Sequence, residues 1–358
     1  TWLLGLLDQG ITTAIAELAR QVPEGASPVD TDNPLVLWTQ PEKRREDLFA
    51  GLIAEVKRRQ EGGAERESAA GLPQIDADDL IHRVLAKLIQ RDEPSAVVVG
   101  EEASPEDWDA WASSAAGTVI YSLDSVDGSS PYDSLSFGFS CNLVMYVRQA
   151  DGTDALVMSI VMNSSGLALV YQAPTSVYIA HAGERRQIIE PGVGADDVRP
   201  GFVAVVAAMP GARRRSADIL DTTASWSLPP LTSGGKQEED PPLTVFTTGG
   251  APATWGIAMG RLDAFVCTEP QTVHDTAGIP ALLALGLKAY GEGGQQLDSK
   301  LLRLAFNRLA RPSSIDYRPI PRLVIARDRA LGELIASRLF SRPFDGPHPS
   351  LCAFGPLD

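Results

Sequence analysis

A run of β-branched and aromatic residues, Val119-Ile-Tyr-Ser-Leu123, leads without a break into Asp124-Ser-Val-Asp-Gly-Ser-Ser130. The run reads as a buried strand, so any fold this chain adopts must deliver carboxylates at that strand's carboxyl end. A second apolar run, Ala96-Val-Val-Val99, ends at Gly100-Glu101-Glu102, and His274-Asp275-Thr-Ala-Gly278 stands far downstream. Asp124 and Asp127, with Gly128 next, read as a tight turn that brings both side chains to one point. Alone, the stretch reads as an acidic turn; an EF-hand loop is excluded, because its ligands alternate in a spacing absent here. Hard divalent cations take oxygen ligands, and two held side by side can clamp a phosphoryl group and activate a water, which requires several convergent carboxylates. Glu101, Asp124, Asp127 and Asp275 supply them, with Mg²⁺ as the expected ion.

The chain has 358 residues, enough for one large or two medium domains, and its 44% hydrophobic and 22% charged content is that of an ordinary globular enzyme. A formal charge of −15 argues against a nucleic-acid binder, whose affinity rests on Lys and Arg neutralising phosphates. Small phosphorylated substrates stay admissible, since bound metals neutralise them locally. Cys141, Cys267 and Cys352 show neither a disulfide framework nor zinc-site spacing, so a reducing, cytoplasmic compartment is expected. No apolar run approaches the ~18 residues of a membrane span, so no membrane association is expected. The chain begins at Thr1, which leaves a removed targeting segment open.

Residues 2–21 and 44–59 carry apolar side chains at helical spacing, as does Ile75 to Ile89 with acidic residues in its first turn. Residues 135–147 and 154–181 read as successive strands. The stretch 183–242 is rich in Pro, Gly and charge, with exposed loops expected at 210–215 and 234–242. A subdomain boundary is placed near 185, dividing the chain into halves 1–185 and 186–358. Asp275 heads a helical pattern (Ile279, Leu282, Leu283, Leu287), where its plain role is an N-cap.

The segment 123–130 resembles the Asp-Pro-Ile/Leu-Asp-Gly-Thr/Ser-Ser/Thr signature of the inositol monophosphatase and fructose-1,6-bisphosphatase superfamily of metal-dependent, lithium-sensitive phosphatases. Met259-Gly-Arg-Leu-Asp-Ala-Phe265 followed by Val273-His-Asp-Thr-Ala-Gly278 resembles the Gly-x-x-Asp-Ala … Trp-Asp-x-Ala-Ala/Gly signature of the inositol monophosphatase branch. Coverage runs from about residue 45 to 340, including a closing strand at Arg322 to Ala326 and the helix after it. The resemblance implies an α/β fold layered as an α/β/α/β/α sandwich, with two or three Mg²⁺ ions in each active site. It also implies hydrolysis of a phosphate monoester on a small polyol, a sugar or cyclitol phosphate, and admits a homodimer.

By the same resemblance, Asp124 bridges two ions, Glu101 and the Val126 carbonyl complete one shell, and Asp127 with Asp275 hold the other, with Glu102 behind them. Gly128, Ser129 and Ser130 offer N–H groups to the phosphate. Ser129 and an upstream carboxylate orient the water; Asp78 is the choice for that base by its spacing from Glu101, with Asp76 and Asp79 close by and a plain helix-start role equally open. Gly250, in a small-residue loop from Thr247 to Ala253, and Glu269 face the polyol, although Glu269 is one residue off the family spacing. Asp133 is a candidate for orienting the motif loop.

Ser125 replaces the usual Pro and His274 the usual Trp, which alters the pocket's shape without removing a ligand. Only His274 among the four histidines stands beside a ligand, where it can tune the site. Gly192 to Gly194 and Gly291 to Gly294 lack the context of nucleotide-binding loops. The alternatives are a bisphosphatase of the fructose-1,6-bisphosphate or adenosine 3′,5′-bisphosphate type, with Arg213 to Arg215 as the candidate for holding a second phosphate although the second motif is of the monophosphatase type, and a non-catalytic phosphosugar-binding protein.

Overall fold

The computed structural model of the chain describes residues 2–7, 9, 10, 13, 66–67, 73–74, 76–127, 140–163, 166–181, 184–188, 201–207, 231–233, 236–238, 243–248, 250–312, 314 and 317–341. The expected helix at 44–59, Arg213 to Arg215, Gly128 to Ser130 and Asp133 lie outside them. Residues 2–7 are helical. A short antiparallel pair follows, β1 (Arg66–Glu67) and β2 (Pro73–Gln74), and then helix α1 (Asp76–Asp92).

A seven-stranded sheet comes next: β3 (Val97–Gly100), β4 (Val119–Asp127), β5 (Ser140–Arg148), β6 (Asp154–Asn163), β7 (Ala168–Gln172), β8 (Ser176–His181) and β9 (Glu184–Gln187), in spatial order β3 to β9. β3 and β4 are parallel, joined through helix α2 (Pro105–Ala112), and the remaining neighbours are antiparallel. A capping box starts α2: Ser104 Oγ accepts from the Asp107 amide, and the Asp107 carboxylate accepts from the Ser104 amide. The chain must therefore turn at Glu101 and Glu102, which fixes that pair at the sheet's edge.

The second sheet comprises β10 (Phe202–Ala207), β13 (Leu243–Thr248), β14 (Ala264–Cys267), β15 (Lys288–Tyr290) and β16 (Leu323–Ala326), in order β13-β10-β14-β16-β15. Between β10 and β13 stands a hairpin, β11 (Leu231–Ser233) with β12 (Lys236–Glu238), so the stretch expected as an exposed loop from 234 includes a strand. Helices α3 (Gly250–Ala258), α4 (Ile279–Ala284), α5 (Ser299–Ala305) and α6 (Arg329–Leu339) and a single 3-10 turn (Glu292–Gly294) complete the described elements. No helix among the described residues is long and apolar enough to cross a membrane.

Strict alternation along the strands builds the layers, because successive side chains leave opposite faces of a sheet. On the larger sheet Tyr121, Leu143, Ile160 and Val170 pack with Ile81, Leu85 and Ile89 of α1 and with Leu3, Leu6 and Leu7. Their neighbours Ile120, Val144, Val161 and Leu169 point the other way, into a core shared with Ala253 and Ile257 of α3, Leu282 of α4, and Val205, Phe265 and Ile325 of the second sheet. Ala204, Val206, Val266 and Val324 on that sheet's far face meet Leu331, Ile335 and Ala336 of α6. The order is thus helix, sheet, helix, sheet, helix, the expected sandwich. Burying two faces of each sheet requires the near-continuous apolar runs seen in β10, β14 and β16.

Candidate metal centre

The tight turn expected at Asp124 to Asp127 is a strand. β4 continues through Asp127, with Asp124 opposite Asn142 and Asp127 opposite Ser140. Three steps on β4 therefore face two on β5, a β-bulge of one extra residue. Without it, residues three apart would leave opposite faces of the sheet; with it, Asp124 and Asp127 share one face. That face looks into the middle layer, since Leu123 points into the core of α1.

Asn142 holds the two acids together. Its Nδ2 donates to Asp127 Oδ2 at 3.2 Å and to Asp124 Oδ2 at 3.4 Å, while Ser140 Oγ donates to Asn142 Oδ1 at 2.7 Å and so fixes which way the amide points. Sequence reasoning missed both residues, whose only signal is their position in a strand that must pair with the motif. Glu101 arrives from the neighbouring strand, because Gly100 pairs with Leu123 in parallel register. A Cβ at Gly100 would collide with the Leu123 carbonyl oxygen, so glycine is required for this approach. Glu102 Oε2 lies 3.9 Å from Nδ1 of His82 on α1.

Asp275 comes from the segment between β14 and α4. It does not cap a helix: α4 begins only at Ile279, and its N-cap is Gly278. Instead Asp275 sits in a turn locked by two threonines. Its amide donates to Thr272 Oγ1 at 3.2 Å, and Thr276 Oγ1 donates to the Thr272 carbonyl at 2.6 Å. A hydroxyl acceptor can satisfy the free amide locally and compete with helix, which explains the late helix start. The small-residue stretch expected as a loop at 247–253 is the junction of β13 and α3, and Gly250 there lies so close to Asp275 that a Cβ would meet its carbonyl oxygen.

One donor atom each from Glu101, His274 and Asp275 lies within 4.8 Å of the other two. His274 Nε2 is 3.9 Å from Asp275 Oδ1, and burial lowers its pKa, so the imidazole is held neutral and able to donate a lone pair. Asp124 is buried at 5% exposure. Burial first, then the charges of Asp127, Asp275, Glu101 and Glu102, push its pKa well above 3.8. A carboxylate so placed must take a proton or face a cation. The donor set fits a hard divalent ion of the Mg²⁺ kind, and a neutral imidazole beside the carboxylates also suits Mn²⁺.

Val126 has its main chain in the bulge, and Asp78 lies in the first turn of α1, one turn before His82. Glu269 lies in the bend after β14, partly exposed, with its carbonyl accepting from Gln271 Nε2 at 3.0 Å.

No family model matches the chain, and no curated protein matches it. Among solved structures, it is similar to inositol monophosphatase II from Staphylococcus aureus, at 12% identity over 94% of this chain and 93% of that one, with a TM-score of 0.48. SuhB from Mycobacterium tuberculosis is 16% identical over 82% of this chain and 91% of that one, with a TM-score of 0.48. CysQ from Bacteroides thetaiotaomicron, described as a bacterial member of the inositol monophosphatase family, is 16% identical over 70% and 84%, with a TM-score of 0.42.

Proposed function

We propose that the chain is a Mg²⁺-dependent phosphatase of the inositol monophosphatase type, hydrolysing a phosphate monoester on a small polyol such as a sugar or cyclitol phosphate. The observation that carries this reading is the bulge that turns Asp124 and Asp127 to one face, where Glu101 and Asp275 join them. Such a set needs a cation, and the motif resemblance supports reading these four acids as its ligands. Glu101, Asp124, Asp127, Asp275 and the Val126 carbonyl would hold the metal, whose charge supports an in-line attack of water on phosphorus.

The chain's own part is placement and proton transfer. Amides of Gly128, Ser129 and Ser130 bind the phosphate oxygens. Ser129 Oγ accepts a proton from the attacking water and Asp78 accepts from Ser129, the pair acting as general base, while the P–O bond to the polyol breaks and the departing alkoxide takes a proton from water in the site. Gly250, where a side chain would strike the Asp275 carbonyl, lets the start of α3 border the polyol, and Glu269 accepts hydrogen bonds from its hydroxyls. The test is phosphate release from a panel of sugar, cyclitol and nucleotide phosphates, with Mg²⁺ and with EDTA. Release that is confined to Mg²⁺ and favours monoesters of polyols is expected. Turnover undiminished in EDTA, or none with any substrate, would overturn the reading.

A further inference from the structure

Gln271 and Ile320 form an antiparallel bridge, with N···O distances of 2.8 and 3.1 Å in the two directions. Counting three residues on from Gln271 and three back from Ile320 sets His274 opposite Tyr317, and their rings are 6.1 Å apart at 56°. Tyr317 is 8% exposed, and its buried hydroxyl has no hydrogen-bond partner among the described residues. An unmade hydrogen bond of this kind costs stability, because the buried group has lost its water without gaining a partner. Burial first, then the charges of Glu101, Asp275, Glu102 and Asp124, raise the pKa of this phenol, so it lies in the field of these four carboxylates.

Building on the metal reading above, we propose that Tyr317 is a positioning residue of this centre: its hydroxyl donates a hydrogen bond to the Glu101 carboxylate when the ligands close on a divalent cation. Ligating carboxylates are themselves hydrogen-bonded in metal sites, and removing such a partner costs about 10–100-fold in affinity. A phenol remains protonated among carboxylates and can only donate to them. The internal comparison is Tyr146, fully buried with an equally unpartnered hydroxyl, on which the single carboxylate acting is Asp154, away from the centre. If burial alone explained Tyr317, the two tyrosines would behave alike.

The experiment compares wild type, Tyr317→Phe and Tyr146→Phe by thermal unfolding in EDTA and in Mg²⁺, and by Mn²⁺ binding followed by electron paramagnetic resonance without substrate. In EDTA both variants should melt at or above the wild-type temperature, since each loses an unpaired buried hydroxyl. Tyr146→Phe should keep the wild-type Mn²⁺ affinity and Mg²⁺ stabilisation; Tyr317→Phe should lose about 10-fold in affinity and part of the stabilisation. Wild-type Mn²⁺ affinity in Tyr317→Phe, equal losses in both variants, or destabilisation of Tyr317→Phe in EDTA each overturns the role of Tyr317 while leaving the metal reading intact. Absence of Mn²⁺ and Mg²⁺ binding by the wild type overturns both.

Discussion

The main-chain N–H of Ala251 donates to Oδ2 of Asp127 at 2.7 Å, across 124 positions of sequence. Ala251 is the second residue of α3, whose first amides have no partner inside the helix and carry the positive end of its dipole. The same Asp127 oxygen accepts from Asn142, so the acid is held by one donor from each sheet's half of the molecule. The acids are therefore brought together only when the two sheets close on the middle layer.

Asn142→Ala should loosen that assembly without touching a ligand. Mn²⁺ affinity is expected to fall about 10-fold or more, as for other groups that orient metal-binding carboxylates. Isothermal titration with Mn²⁺ measures it, and unchanged affinity would show that Asn142 is only packing.

Asp124→Asn and Glu102→Gln separate a ligand from a residue behind it. The first should lower kcat/KM by ~10²-fold or more, since the metal's charge stabilisation is worth several kcal/mol, and the second by less. In EDTA at neutral pH, Asp124→Asn should nevertheless raise the melting temperature, because it removes the charge that four neighbouring carboxylates oppose. Equal activity losses, or a lower melting temperature for Asp124→Asn, would contradict the assignment.

The same residue sets the pH dependence of the metal-free protein. The folded pKa of Asp124 lies well above 3.8, so between that value and the raised one the unfolded chain binds fewer protons than the native state. Stability therefore falls as pH rises through this window. Melting curves in EDTA from about pH 4 upward should show this slope, and Asp124→Asn should flatten it. Saturating Mg²⁺ should oppose it, since metal binding favours deprotonated ligands. A wild-type profile that matches Asp124→Asn in EDTA would show that the carboxylate carries no such strain.

Gly250→Ala tests the packing of α3 on the turn that carries Asp275. The added methyl meets main-chain oxygen, which cannot swing away, so about 1–3 kcal/mol of stability should be lost in urea unfolding. Mn²⁺ binding should weaken with it as Asp275 shifts. Gly5→Ala, whose Cβ meets nothing within 4 Å, should change neither. Full Mn²⁺ affinity in Gly250→Ala would uncouple this contact from the centre.

Much of the architecture is legible along the chain because burial imposes a local period. Ile81, Leu85 and Ile89 at helical spacing become the inner face of α1, and the apolar runs at Val97, Val119 and Leu323 become strands. The carboxylates Glu101, Asp124, Asp127 and Asp275 were legible for a related reason: a fold that ends buried strands in acids leaves charges that need a cation. Local preference misled at Asp124 to Asp127, where Asp and Gly suggest a turn but pairing with β5 extends the strand through a bulge. It misled again at Asp275, where the helical pattern starts early but the Thr272 hydroxyl takes the amide first.

By itself, then, the sequence determined the main strands and helices and the identity of the acids, since each depends on a residue's own chemistry and its nearest neighbours along the chain, while the layered α/β class was implied by the motif resemblance. Which groups orient those acids was decided by tertiary structure alone. Asn142, Ser140, the Ala251 amide and Tyr317 carry no signal in their own segments. Each acquires its place from strand register, the closure of two sheets or a bridge between distant loops, and these are fixed by long-range packing that no local pattern encodes.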